Sequence, residues 1–375
     1  MGNKIIPLFK VAISDNVFNP LLKTISSGWI GEGPKVVELE NMLKAKFNNP
    51  HCLALNSGTS GLRLALELIK RQTRAAGRHV VITTSMTCFA TNSPVLTSGL
   101  DIRWADIQKD SLNIDPNSIK EKIDENVLAI IVVHWGGYSC DMEEIFKISK
   151  EYNVPIIEDG AHTFGSMYKN SMIGSCDYSD FCMISLQAIK FLTTGDGGLL
   201  FTKSTRDYEQ GKLLRWFGID RFSNRKDLRC EEDIPIAGFK MQMNDIAATI
   251  GINNFDLAEK NVELNRKNAF YYNTELNGVP GVKLVQLDME NRKSSYWVYT
   301  LLVDDVVGFA RKMGEKGIMV SKVHARNDTH SCVSKYRTEL PVLDKIERKR
   351  ICIPCGWWVT KEDREYIVNV IRKGW

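Results

Sequence analysis

No stretch of this chain is both long and apolar enough to span a bilayer: the longest apolar run, Val127 to Val133, falls far short of the roughly 20 residues a membrane helix needs. The opening residues, MGNKIIPLFKVAISDN, lack the sustained apolar core and small-residue cleavage site of an export signal, which predicts a cytoplasmic protein. Met1-Gly2 does not complete a myristoylation pattern, because Ile6 stands where a Ser or Thr belongs. Lys and Arg form no dense block and the formal net charge is only +4, so nucleic acid is not the expected partner, while an anionic small substrate is easily accommodated. Nine cysteines, an odd number scattered without an export signal, predict reduced thiols. The CxxC from Cys352 to Cys355 has no further ligands at zinc spacing, since His324 and His330 fit no common pattern with it. It reads as two buried thiols around a proline turn, and no metal is expected. Internal repeats and low-complexity segments are absent too.

What the chain does have is ordinary globular composition, 43% hydrophobic and 25% charged, over 375 residues. That length predicts two domains, because single cores seldom grow beyond about 250 to 300 residues. Up to residue 253, β-rich runs alternate with helical patterns, the mark of a mostly parallel sheet covered on both faces. Seven strands are predicted: His51 to Leu55, His79 to Thr84, Asp101 to Trp104, Leu128 to Val133, Val154 to Glu158, Phe181 to Ser185 and Leu199 to Thr202. Between them, Leu62, Leu66 and Ile69, then Ile145, Ile148 and Tyr152, recur at helical spacing. From residue 254 to 375 a smaller α+β domain is predicted. It opens with a charged helix from Phe255 to Leu276 and includes strands at Tyr296 to Val303 and Ile318 to Val323, a helix from Val306 to Lys316, and a last helix begun by Thr360.

Three segments of the large domain carry chemistry together. In ALNSGTSGLRLAL a strand ends, Ser57, Gly58, Thr59 and Ser60 turn, and a helix starts, which aims free N–H groups and a positive helix end at one point and suits a phosphate. Neither a Gly-Lys-Ser/Thr nor a GxGxxG accompanies it, so a single phosphate is expected rather than a nucleotide. VPIIEDGAHTFGS ends an apolar strand in Glu158 and Asp159, and a buried carboxylate requires a cationic partner. In SLQAIKFLTTGDGG, Lys190 follows closely behind the strand that Ser185 closes. A lysine held between a phosphate cup and a buried carboxylate is what pyridoxal 5'-phosphate requires. The amine condenses with the aldehyde, the carboxylate keeps the ring nitrogen protonated, and the cup receives the phosphate. A free lysine has a pKa of about 10.4, so the site must lower it for the amine to act near neutrality.

With these residues in view, the chain resembles the DegT/StrS family of pyridoxal-phosphate-dependent sugar-nucleotide aminotransferases, which have the aspartate aminotransferase fold, fold type I. SSGWIGEGPKVVELE, NSGTSGLRLAL, SMTCFATNSPVL, VVHWGGYSCDM, EDGAHTFGS and SLQAIKFLTTGDGG resemble its motifs in order over nearly the whole chain. The resemblance implies that Lys190 forms the Schiff base and shuttles protons, that Asp159 pairs with the pyridine nitrogen, and that His162, where the family often has Gln, lies near the phenolic oxygen. It implies that Gly58, Thr59 and Ser185 hold the phosphate beside Ser57. AGFKMQMNDIAATIG resembles the segment by which a neighbouring subunit completes the site, which implies a homodimer with shared active sites and a phosphate contact from the partner by Lys240. Cys88 stands where the family usually stacks an aromatic residue on the cofactor. Relatives that carry His in place of the lysine dehydrate their substrate, so Lys190 implies transamination. The implied reaction moves an amino group from L-glutamate to a nucleotide-linked keto-deoxy sugar, with a 4-keto-6-deoxyhexose favoured over a 3-keto sugar, in amino-sugar and surface-polysaccharide synthesis. Trp29, Tyr296, His324, Arg326 and His330 are the expected sugar contacts. A catalytically silent cofactor-binding regulator is the rival outside enzymology.

Overall fold

The computed structural model describes residues 4–72, 75–221 and 233–375. Two N-terminal helices, α1 (Phe18–Ser26) and α2 (Pro34–Phe47), precede the units of the main sheet. These run β1 (Cys52–Leu55), α3 (Gly58–Lys70), β2 (Val80–Thr84), α4 (Phe89–Thr97), β3 (Asp101–Ala105), α5 (Pro116–Lys122), β4 (Val127–Val133), α6 (Met142–Tyr152) and β5 (Ile156–Asp159). A small hairpin, β6 (Met167–Tyr168) with β7 (Ser171–Met172), leads to β8 (Phe181–Ser185), β9 (Gly198–Thr202) and α7 (Thr205–Leu214). The long helix α8 (Asp245–Glu275) then carries the chain to β10 (Val282–Leu284), β11 (Arg292–Lys293), β12 (Tyr299–Val303), α9 (Val306–Glu315), α10 (Pro341–Glu347), β13 (Arg350–Ile353) and α11 (Lys361–Arg372).

Seven strands form one sheet in the order β1-β9-β8-β5-β4-β2-β3. All neighbours are parallel except at β9, which runs antiparallel to both β1 and β8. The uninterrupted apolar run of β4 follows from this burial on both faces: each of its residues is buried. The fold is the mostly parallel, helix-covered sheet of fold type I, and the predicted strands match it to within a residue or two. A second sheet, β10-β12-β13, packs with α9 and α11 around Tyr272, Leu301, Phe309, Ile351 and Ile367.

Three expectations in the C-terminal part are corrected. The strand expected from Tyr296 starts only at Tyr299, because Tyr296 adopts φ +51° and the Trp297 N–H is taken by Gly136 O at 2.8 Å, which docks this stretch on the turn after β4. Ile318 to Val323 is not a strand: it makes isolated bridges, Ile6 to Ile318 and Ser321 to Cys352, and Val323 turns at φ +70°. The charged helix begins at Asp245 rather than Phe255, capped by the Asn244 side chain accepting the Ala247 N–H, so it runs across the boundary expected at residue 253. Cys352 and Cys355 are buried free thiols, and burial pushes Cys352 up to about 11.

Candidate active site

The carboxyl ends of β1, β2, β5 and β8 open onto one crevice, which is where an α/β sheet places ligands. Past β1, Ser57 is extended at φ −163° and its Oγ accepts the Ser60 N–H at 3.1 Å, capping α3. The N–H groups of Gly58 and Thr59 lie in the first turn, where a helix supplies no acceptor of its own, so this end is an anion cup. Gly198, which opens β9 opposite Leu55 and Ser185, runs so close that a Cβ there would sit 2.4 Å from Ser57 O and Gly58 N. A Cβ on Gly58 would in turn meet Ser185 Cβ at 3.3 Å. Gly198 therefore requires glycine for lack of room against backbone, while a side chain at Gly58 would have to displace Met183 and press on Ser185.

Asp159 closes β5 and is 4% exposed. Its carboxylate accepts hydrogen bonds from Thr91 Oγ1 at 2.6 Å and from the Ala161 N–H at 3.0 Å. Burial holds its pKa above the usual carboxylate range, while those two bonds and the nearby Lys190 pull the other way. Lys190 sits in a loop tied at its neck by Leu186 N–H to Gly197 O (2.9 Å) and Thr194 N–H to Leu186 O (3.0 Å). Burial pulls its ammonium down to about 8, with Asp159 and Cys88 opposing. Its Nζ rests 3.8 Å from the centre of the Trp297 ring.

His162 stacks on Trp297 with ring centres 3.9 Å apart at 13°. Its Nδ1 accepts the Gly136 N–H at 3.3 Å, which leaves the hydrogen on Nε2, and burial with the positive Lys190 holds it well below the usual range and neutral. His324 lies nearly parallel to it, ring centres 6.4 Å apart, and burial lowers its pKa to about 4.

These groups enclose a cavity of about 330 Å³. Ser57, Gly58, Thr59, Cys88, Asp159, His162, Ser185, Lys190 and His324 all line it, so nine of the positions singled out in the sequence meet in one place. The others do not. Tyr296 is 2% exposed within the core of the second sheet, Arg326 pairs with Asp328 (2.6 Å) and with Asp344, and His330 packs edge-on against Phe89. Trp29 is 58% exposed, and Lys240 lies over Trp216, its Nζ 4.5 Å from the ring centre. Thr91 and Trp297 were missed. The signal for Trp297 was one residue away: an extended strand from Tyr296 would alternate its faces, and the turn at Tyr296 hands the cavity to its neighbour. Asn327 was also missed, and it docks the segment bearing His324 onto the β2–α4 turn and α4, donating to Thr87 O at 2.8 Å and accepting from Asn92 at 2.7 Å. A larger surface cleft of about 750 Å³ lies near Asp110 and Arg292, but its charges are spent on one another, Lys283 with Asp110 at 2.9 Å and Arg292 with Asp288 at 2.8 Å.

A sheet of this order, a lysine and a buried carboxylate facing an anion cup define an aminotransferase-type site. Residues 12–372 match the model of the DegT/DnrJ/EryC1/StrS aminotransferase family, and the chain belongs to that family. Among solved structures, AtS13 from Actinomadura melliaura is 40% identical with a TM-score of 0.95, and 100% of each chain is covered. The sugar aminotransferase CalS13 from Micromonospora echinospora is 36% identical with a TM-score of 0.94, covering 99% of this chain and 100% of that one. A UDP-4-amino-4,6-dideoxy-N-acetyl-beta-L-altrosamine transaminase of Campylobacter jejuni is 30% identical over 78% of this chain and 74% of its own length.

Proposed function

We propose that this aminotransferase uses pyridoxal 5'-phosphate to move an amino group from L-glutamate to a nucleotide-linked keto-deoxy sugar, a 4-keto-6-deoxyhexose in first place. One observation supports the reading: Lys190, a buried carboxylate and an open helix N-terminus line one and the same cavity. The residues fit the cofactor. Ser57, Gly58, Thr59 and Ser185 would take its phosphate and Asp159 its ring nitrogen, all of them lining the one cavity. When bound, the group supplies an aldehyde and an electron-withdrawing ring. The chain supplies the proton chemistry. With Lys190 at about 8, roughly a tenth of its amine is neutral at pH 7, against less than a thousandth for a free lysine. That fraction serves both nucleophile and proton carrier. Neutral His162, its hydrogen on Nε2, offers a donor that does not compete with Lys190 for a proton.

We further propose a homodimer with shared sites, a reading supported by the charge count in the cavity. Among the described residues lining it, Lys190 is the one cation at neutral pH, too little for two anionic substrates and a phosphate. Lys240 lies outside its own cavity, free to serve that of a second copy. Exposed Phe18, Leu22, Ile25, Trp29 and Ile30 give that copy an apolar surface to cover. Arg326, already doubly paired, and the enclosed Tyr296 are weak candidates for sugar contacts; His324 is the strongest. No helix among the described residues is long and apolar enough to cross a membrane.

The test is a mass-spectrometric screen of L-glutamate against UDP-, dTDP- and GDP-linked 3-keto and 4-keto sugars, with Lys190→Ala as control. Amine transfer that vanishes in the control supports the proposal, and transfer that survives it overturns the role of Lys190. A silent regulator would turn yellow with the cofactor yet keep its colour on adding glutamate.

A further inference from the structure

Lys190 has no carboxylate within ion-pair distance among the described residues; its Nζ lies instead over an indole face, 3.8 Å from the ring centre. That indole is immobilised from several sides. Its Nε1–H donates to Ile189 O at 3.0 Å, the carbonyl of the residue directly before the lysine. Its backbone N–H is held by Gly136 O at 2.8 Å, Phe9 stacks on it with ring centres 4.8 Å apart at 30°, and His162 at 3.9 Å. Trp297 is 5% exposed and lines the cavity. The fold thus spends a tryptophan, two stacked rings and two hydrogen bonds on a flat surface beneath one amine.

We propose that Trp297 is a positioning residue for Lys190: its ring seats the ε-ammonium by cation–π attraction whenever the amine is free, and so keeps it aimed into the cavity. The kind of contact matters. A carboxylate at this place would hold the ammonium by a charge-assisted bond that the amine must break before it reacts, whereas an aromatic face attracts the cation more weakly and accepts no proton. The lysine is held loosely enough to leave and firmly enough to return. The lysine's catalytic role rests on the function proposed above, but the contact with Trp297 does not.

The test needs neither substrate nor bound cofactor. The full-length chain, freed of cofactor, is labelled with trace acetic anhydride across a pH series, and acetylation at Lys190 is read by peptide mass spectrometry, with exposed Lys109 as internal control. Attraction to the ring favours the ammonium form, so losing the ring must lower the pH at which Lys190 becomes reactive. Trp297→Leu is expected to move the midpoint down by about half a unit to one unit, Trp297→Phe by less, with Lys109 unmoved. Equal midpoints in all three proteins overturn the proposal. A rise in Trp297→Leu overturns it too, because the indole would then act by excluding water rather than by touching the amine. If Trp297→Leu does not fold, wild type against Trp297→Phe decides, and an unshifted or raised midpoint is the refuting result.

Discussion

Glu158 and Asp159 are consecutive on β5, both carboxylates and both buried, at 3% and 4% exposure, yet the protein treats them in opposite ways. Strand geometry sends successive side chains to opposite faces. On one face Glu158 meets groups that satisfy both its oxygens: Ser179 Oγ donates at 2.5 Å and His134 Nε2 at 2.8 Å. The His134 tautomer is set by the Cys140 N–H donating to Nδ1 at 3.1 Å, so the imidazole has a hydrogen left for Glu158 alone. On the other face Asp159 has one hydroxyl, one backbone N–H and an open cavity. A buried carboxylate whose partners all come from the protein is structural. One left with capacity facing a cavity is available for a ligand.

The sharpest way to break this contrast is to remove each carboxylate in turn. Asp159→Ala is expected to lower kcat by about a thousandfold, on the scale of a lost electrostatic or proton-transfer group, while the midpoint of urea denaturation barely moves. Glu158→Ala is expected to do the reverse, costing about 3 kcal/mol or more in urea because His134 and Ser179 lose their buried acceptor. If Glu158→Ala folds at full stability but loses turnover while Asp159→Ala keeps it, the two roles have been assigned to the wrong faces.

Lys190 extends the comparison, since a group kept for function can cost stability. Its pKa is near 8 in the folded chain and about 10.5 when unfolded. Between those values the unfolded state holds a proton that the folded state lacks, so stability of the cofactor-free chain must rise with pH from about 8 to about 10.5. Below pH 8 both states are protonated and the full penalty of burying the ammonium stands. Lys190→Met removes that penalty and is expected to stabilise the cofactor-free protein by about 1–3 kcal/mol at pH 7, allowing for residual solvent screening, with the gain gone above about pH 10.5. Thermal melts of both proteins across this window check it, and a gain independent of pH would point to packing instead.

Much of this was legible in the residues. The EDGAH segment put both carboxylates at a strand end, and alternation alone separates their faces once the strand is placed. The cup, the lysine and the small residues after it were visible as turn chemistry, and Gly198 shows why they are small: backbone meets backbone there. The C-terminal part was harder because its backbone departs from regular elements where it meets the loops of the seven-stranded sheet. Positive φ at Tyr296 and at Val323 breaks the alternation that would have pointed to Trp297 and told His324 apart from Arg326 and His330. Local pattern cannot report a turn that long-range docking imposes. Thr91 left no pattern at all, being one buried hydroxyl on a short helix.

That hydroxyl gives the smallest expected effect and the finest test. Thr91 Oγ1 donates to Asp159 Oδ2 at 2.6 Å and also lies 2.7 Å from Thr87 Oγ1, so the two hydroxyls form a chain ending on the carboxylate. Donation stabilises the ionised form and counters the effect of burial. Thr91→Val keeps the shape, removes the donor and leaves the Ala161 N–H as the hydrogen bond to the Asp159 carboxylate. The carboxyl pKa should therefore rise further, and the acid limb of the pH–rate profile for kcat/KM should move upward by about one unit, with kcat at neutral pH down by less than about tenfold. Thr91→Ser, which restores the hydroxyl, should bring the limb back. A limb that stays put in Thr91→Val would mean that Asp159 is held ionised by what occupies the cavity rather than by the protein, and its likeness to Glu158 would then end at burial alone.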